Sequence, residues 1–210
     1  MRRTLLALTF VTGIVDAVAF LGLGQVFAAM QTGNVIFLGF GFAGAAEASL
    51  AAPSIALLAF LAGDGVAALI SVKSPSRPRR IVVSRTLETL LIALAALVAA
   101  LATVESGGAV AYCLIAMLSL AMGVRSTIVR QASPNLATTV LNLTPTGIGP
   151  QASSILASGH DLGERAAALV AIVAGAATGA LLLETGLTLP LAVAAAITAA
   201  TVLPVRLSPP

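Results

Sequence analysis

Charge is what this sequence has least of. Only 9% of its 210 residues are Asp, Glu, Lys or Arg, where an ordinary soluble domain carries about 25%, so the chain cannot clothe itself for water. Aromatic residues are nearly as scarce, at 4% with no tryptophan. The stacking surfaces that bind nucleic acid are therefore missing, and the net charge of +3 reads as a membrane topology signal instead. A single cysteine, Cys113, excludes a disulfide framework and a thiolate metal site. The single histidine, His160, stands near Asp161 and Glu164 and reads as a surface residue, not a metal ligand. HExxH, paired-cysteine, Walker and GxSxG patterns are all absent from the sequence, so neither metal nor cofactor is expected, nor an enzyme.

What is present is apolar sequence, 59% of the chain. Eight apolar segments stand out, near 4–23, 32–46, 54–72, 84–104, 108–130, 144–158, 165–183 and 188–205. Six reach the length that a hydrocarbon core of about 30 Å asks of a helix. The segments 32–46 and 144–158 are shorter and rich in Gly, Ser and Thr. The first segment, behind Arg2 and Arg3, has the charged start of a signal peptide, but Asp16 interrupts it and more membrane sequence follows, so it is expected to be a retained span.

Basic residues decide between eight crossings and six. With eight, the loop carrying Lys73, Arg77, Arg79, Arg80 and Arg85 faces away from Arg2 and Arg3, against the positive-inside tendency. If the two short segments dip in and return, the N-terminus, that loop, Arg130, Arg165 and Arg206 share one face, and the other face holds Glu47, Glu105 and Glu184. The expectation is an all-α polytopic membrane protein, one membrane domain over 1–210, with six transmembrane helices, two re-entrant half-helices, and both termini cytoplasmic.

A shift of 110 residues lays Thr9-Phe-Val-Thr-Gly13 on Ser119-Leu-Ala-Met-Gly123, and a shift of 112 lays Ala59-Phe-Leu-Ala-Gly63 on Ala171-Ile-Val-Ala-Gly175. Each half also runs span, polar stretch, half-helix, span, span. Three crossings per half make the two repeats, about 4–104 and 108–206, inverted relative to each other, a habit of transporters. Small-residue runs at Gly39-Phe-Gly41, Gly63-Asp-Gly65 and Gly175-Ala-Ala-Thr-Gly179 are spaced for close helix approach.

In the first half Thr32 is the expected N-cap of a helix that follows the extended stretch Gln25 to Gln31. In the second, Asn142 or Thr144 caps a helix with Pro145 at its first position. Half-helices that begin at membrane depth turn bare amides and positive dipole ends toward a ligand, which suits an anion or carboxylate. Gln31, Thr32, Gly33, Asn34, Asn142 and Thr144 are the candidate substrate-binding residues, with Thr138 and Thr139 nearby; each polar one also fits a plain capping or turn role. Three charges stand inside apolar segments, Asp16, Asp64 and Arg125, each costing roughly 2.5–3.5 kcal/mol at a helix centre. An Asp16–Arg125 ion pair would satisfy two of them; proton coupling or substrate contact is the alternative. Asp64 is either a protonatable carboxylate or a hydrogen-bonded structural acid.

The stretch from Leu6 to Gly24, containing Gly13 and Asp16, together with Thr32-Gly-Asn-Val35 and Ala121-Met-Gly123, resembles the YoaK-like family of small bacterial inner-membrane proteins over essentially the whole chain. The second half departs from that family at Asn142-Leu-Thr144, where Thr-Gly-Thr is usual, and at Arg125-Ser126, where a Gln-Asn pair is usual. The resemblance implies a multi-pass membrane protein and no particular substrate. By architecture, the paired half-helices are similar to the core of sulfate and nucleobase permeases. The functional expectation is a secondary transporter of a small polar or anionic metabolite, with a lipid bilayer, a small-molecule ligand and a homodimeric second copy as partners and no nucleic acid. A non-transporting membrane scaffold or a sensor of lipids or small molecules is the alternative.

Overall fold

In the computed structural model, residues 2–45, 49–74, 76–132 and 159–207 are described. They form seven helices and, among the described residues, no strand: α1 (Arg2–Val18), continued by a wider π turn over Ala19–Gly24, α2 (Gln31–Phe42), α3 (Ala51–Lys73), α4 (Arg77–Leu101), α5 (Ala109–Ala132), α6 (Gly159–Leu183) and α7 (Thr188–Leu207). By length and composition five of them can cross a membrane, namely α1 with its π turn, α3, α4, α5 and α6, and α7 holds a shorter apolar stretch at Thr188–Val202. The six long segments of the sequence are thus all helical. The second short segment, 144–158, lies outside the described residues.

The exterior is apolar. Leu58, Leu69, Leu90, Leu101, Val170 and Leu181 are all exposed, an arrangement that only a hydrocarbon surrounding stabilises, since in water each would forfeit roughly 1.5–3 kcal/mol of burial. Ile14, Leu23, Ile92, Leu114, Leu118, Met122 and Leu191 fill the centre. The central helices are α1 and α5, the most enclosed, whereas α3 and α6 are the most peripheral.

Glycine sets how the helices meet. A methyl group on Gly13 would run into the backbone of Ile172 and Ala176, and one on Gly175 into the carbonyl of Phe10. One turn further along, Gly179 lies against Ile14 and Ala17. Residue numbers advance together on both helices, so α1 and α6 are parallel. The pair α3 and α5 meets in the same way: Gly123 abuts the backbone of Phe60 and Asp64, Gly63 that of Leu120, and Thr127 reaches Asp64. With no water-driven force between helices in lipid, such small-residue contacts are what bring the backbones close. Gly39 and Gly65 have open space where a Cβ would stand, so the small-residue runs expected to pack do so only in part.

The segment between α1 and α3 does not carry the chain across the bundle. Gly24, at the end of the π turn, lies beside Ala52 at the start of α3 and Ile115 near the start of α5, so the chain leaves α1 and enters α3 at one end of the bundle. A helix of 12 residues, about 18 Å long, is too short to span the hydrocarbon core. The connection from α3 to α4 is also shorter than the sequence suggests. Arg77, Arg79, Arg80 and Arg85 belong to α4 and not to a loop, which takes Arg85 into the bundle.

Candidate functional site

The chain leaves the π turn through Gln25, which adopts a left-handed conformation (φ 57°) and donates its N–H to the Phe20 carbonyl at 3.1 Å. It then folds back along α1. The Ala29 amide donates to Asp16 Oδ1 at 2.8 Å, and Asp16 stands about two turns before Gly24, where the π turn ends. Non-helical backbone is thereby held deep within the bundle, where its polar groups need partners from protein. Asn34 supplies them: its Oδ1 accepts from Phe27 N–H at 2.9 Å, and its Nδ2 donates to the Phe27 carbonyl at 2.6 Å and to Gln31 Oε1 at 2.8 Å. Gln31 Nε2 in turn donates to the Ala28 carbonyl at 2.9 Å.

Asn34 is fully buried and acts as a surrogate strand for Phe27, taking up both of its backbone groups. Above it the rings of Phe20 and Phe27 stack with centroids 5.0 Å apart, and Phe37 stacks on Phe27 at 6.0 Å. Gly33 gives the Phe27 ring its place, since a Cβ there would touch it. Thr32 is exposed and is not the N-cap; Met30 holds that position without a side-chain bond. The helix starts two residues earlier than the capping argument places it, because Gln31 N–H turns back to the Ala29 carbonyl and Gly33 N–H to that of Met30. Part of the expected bare-amide cradle is therefore already occupied by the loop. One oxygen is not: Asp16 Oδ2 is buried with no hydrogen-bond partner, although the Ala28 amide faces the same carboxyl. Asn142 and Thr144, with Thr138 and Thr139, lie outside the described residues.

A second polar centre lies toward the start of α4. Arg125 is 7% exposed and ion-paired to Glu88, itself 1% exposed; Arg125 Nε stands 2.6 Å from Oε1, and Nη2 contacts the same oxygen. Arg125 Nη1 donates to the Leu8 carbonyl and to Thr12 Oγ1, both at 2.8 Å. Arg125 thus pairs with Glu88 and not with Asp16. The physical reason is reach along the helix: Glu88 lies within α4 at the level of Arg125, while Asp16 is a turn beyond Thr12 and is engaged by the loop. Asp64 accepts from Thr127 Oγ1 across the α3–α5 crossing. The candidates therefore separate into three places: Asp16 with Gln31, Gly33 and Asn34; Arg125 with Glu88; and Asp64 with Thr127.

Arg85 and Glu88 are not legible as site residues from composition, because the basic residues before the apolar run read as a loop. Their spacing of three places both on one face of α4, and this is the signal by which they can be found. Arg85 is buried and donates from Nη1 to Thr201 Oγ1 at 3.1 Å. A cleft lined by Ser84, Arg85, Glu88, Arg125 and Val129 lies there, too narrow to admit a water molecule.

Taken together, an apolar exterior, helices of spanning length and buried polar centres define a multi-pass helical membrane protein. The family described as "Protein of unknown function (DUF1275)" matches residues 4–203, and the chain belongs to it. It is 29% identical over 144 residues to the UPF0700 transmembrane protein YoaK of Bacillus subtilis (strain 168), a match covering 67% of this chain and 62% of that relative. The chain thus matches less than two thirds of the relative's length. No solved structure matches.

Proposed function

We propose that this chain is a secondary transporter for a small polar or anionic metabolite, built as six spans and two re-entrant half-helices in two inverted repeats. The observation that carries the reading is the excursion over residues 25–42. The chain enters it from Gly24 and begins α3 beside the same residue at Ala52, and in between it holds non-helical backbone at the depth of Asp16 and starts a short helix there. Broken elements of this kind at membrane depth are where transporters place substrates and coupling ions. The substrate lies by the start of α2 near Gln31, Thr32, Gly33 and Asn34, and in this reading Asn142 and Thr144, which lie outside the described residues, complete the site. Asp16, with one unpartnered oxygen, takes the coupling proton or a donor group of the substrate.

Two further observations support the repeat. The Gly13–Gly175 and Gly123–Gly63 crossings are related by the shifts of 110 and 112 residues, and in each the first helix of one repeat packs on the later span of the other. The basic residues Lys73, Arg77, Arg79 and Arg80 gather at the end opposite Gly24; under the positive-inside tendency this supports the reading in which that end faces the cytoplasm of a bacterial inner membrane. A second copy of the chain completes a transport unit in this reading, and no enzymatic step is part of it.

Counterflow in proteoliposomes tests the proposal, with labelled bicarbonate, nitrate, sulfate, phosphate and small carboxylates as the panel. Saturable exchange of at least one solute is expected, stimulated by an imposed proton gradient, with the stimulation lost in Asp16→Asn. No exchange with any member overturns it. The second reading, a non-transporting scaffold or a lipid or small-molecule sensor, is favoured by one observation: Arg125 has four of its five N–H groups engaged, and the cleft beside it is closed to water.

A further inference from the structure

Charge does not balance around the cleft at the start of α4. Two guanidinium groups, Arg85 and Arg125, face one carboxylate, Glu88, and that carboxylate is taken by Arg125. Arg85 is 8% exposed, has no carboxylate within ion-pair distance among the described residues, and rests on one hydrogen bond to Thr201. Thr201 offers nothing more, because its own proton is given to the Thr198 carbonyl at 2.6 Å. Beside Arg85, Ser84 is 1% exposed and lines the same cleft, yet its Oγ meets no partner. Glu88 offsets the charge of Arg85 only from beyond ion-pair distance and shares that duty with Arg125; a buried cation so incompletely compensated and a buried hydroxyl left without a bond are both costly.

We infer that this cleft is a binding site for a small oxyanion, held by Arg85 and Ser84 and separate from the Asp16 site. The planar fork of a guanidinium matches two oxygens of one oxyanion, which a halide does not offer, and the Ser84 hydroxyl donates to a third contact. Access follows one face of α4. Arg77, Arg80, Ser84 and Glu88 succeed one another at helical spacing, and exposure falls from Arg77, which is open, through Arg80 to the buried Ser84 and Arg85. Positive charge along that track draws an anion inward. The cleft is closed in this arrangement, so entry requires Arg85 to leave Thr201, and binding therefore loosens the α4–α7 contact that the Arg85–Thr201 bond makes. The inference does not rest on transport, since a sensor would use the same site.

Thermal unfolding of the purified protein in detergent tests it, with sodium gluconate as reference and sodium nitrate, bicarbonate, formate or phosphate added at constant ionic strength. Ligand linkage predicts a saturable rise in Tm of a few degrees for at least one oxyanion. Ser84→Ala, which keeps the fold, is expected to raise the half-saturating concentration about tenfold, the equivalent of about 1.4 kcal/mol. Arg85→Lys, which keeps the charge and loses the fork, is expected to abolish the rise. No oxyanion raising Tm above the gluconate reference overturns the inference, as does an unchanged half-saturation in both variants. A repeat in nanodiscs of phosphatidylcholine with and without phosphatidylglycerol separates the sources of the oxyanion. If anionic lipid reproduces the Arg85-dependent rise and removes the effect of the free ion, the occupant is a lipid phosphate; if it leaves that effect intact, the occupant is the free ion. Counterflow and this Tm response are separate readouts, so either proposal can fail alone.

Discussion

Arg125 and Glu88 neutralise each other inside the bundle, with Nε 2.6 Å from Oε1 and both residues more than nine-tenths buried. The pair ties α5 to α4, and the remaining Arg125 donors tie both to α1 through Leu8 and Thr12. Three helices thus meet on one guanidinium.

Removing one partner is expected to cost more than removing both. Glu88→Leu alone leaves Arg125 charged and uncompensated, for which about 3–5 kcal/mol is typical of a buried pair. The double variant Glu88→Leu with Arg125→Met should recover most of that loss, since apolar side chains suit a bundle in lipid. Apparent unfolding free energies across the four members of the cycle check this. A double variant as unstable as either single one would show that the tie to α1 matters more than the charge balance.

The glycine crossings predict a sharp contrast between positions in the same helix. Gly63→Ala and Gly175→Ala place a methyl against the backbone of Leu120 and Phe10, while Gly65→Ala and Gly39→Ala place one in open space. Overpacking typically costs about 1–3 kcal/mol, so the first two should lower the melting temperature in detergent clearly. The other two should leave it unchanged or slightly higher, because Ala favours a helix over Gly by up to about 1 kcal/mol. Equal effects at Gly63 and Gly65 would contradict the packing.

Much of this architecture is legible in the sequence. Apolar run length gave the spans, because hydrocarbon thickness acts on every residue of a helix at once. Gly13, Gly63, Gly123 and Gly175, which the shifts of 110 and 112 single out, all stand at the two close crossings, Gly13 facing Gly175 on one and Gly63 facing the turn before Gly123 on the other. Partner choice was less visible. Asp16 and Arg125 are the two charges that most interrupt apolar sequence, and pairing them is the economical guess, but neither spacing nor composition reveals that Glu88 lies level with Arg125. The Asn34 clamp on Phe27 was hidden for a related reason: an amide seven residues from its backbone partner gives no periodic signal, so Asn34 reads as a ligand contact as readily as a structural one.

Asn34 should therefore act first on the loop. Asn34→Ala strands the N–H and carbonyl of Phe27 inside the bundle, at roughly 1–3 kcal/mol for each buried group left unpaired. Asn34→Asp keeps the acceptor for Phe27 N–H and loses the donor to its carbonyl. Hydrogen exchange at the Phe27 amide is expected to accelerate strongly in Asn34→Ala and modestly in Asn34→Asp, with little change in α4 or α5. Unaltered protection at Phe27 in the alanine variant would mean that the ring stack of Phe20, Phe27 and Phe37 holds the loop without the clamp.

Asp16 separates the charge from the hydrogen bond. Asn at this position keeps a carbonyl oxygen for the Ala29 amide, now 2.8 Å from Oδ1, and removes a buried charge that costs stability, so Asp16→Asn should fold as well as the native chain or better. Asp16→Ala leaves the Ala29 amide bare at depth and should lose about 1–3 kcal/mol. If the carboxylate is kept for function, native stability and proton-stimulated exchange must part company in Asp16→Asn, the first intact and the second gone. Measuring both on one preparation decides the matter: a variant that keeps the stimulation makes Asp16 a fastener for the loop, and one that loses stability as Asp16→Ala does makes the second oxygen, Oδ2, a structural necessity.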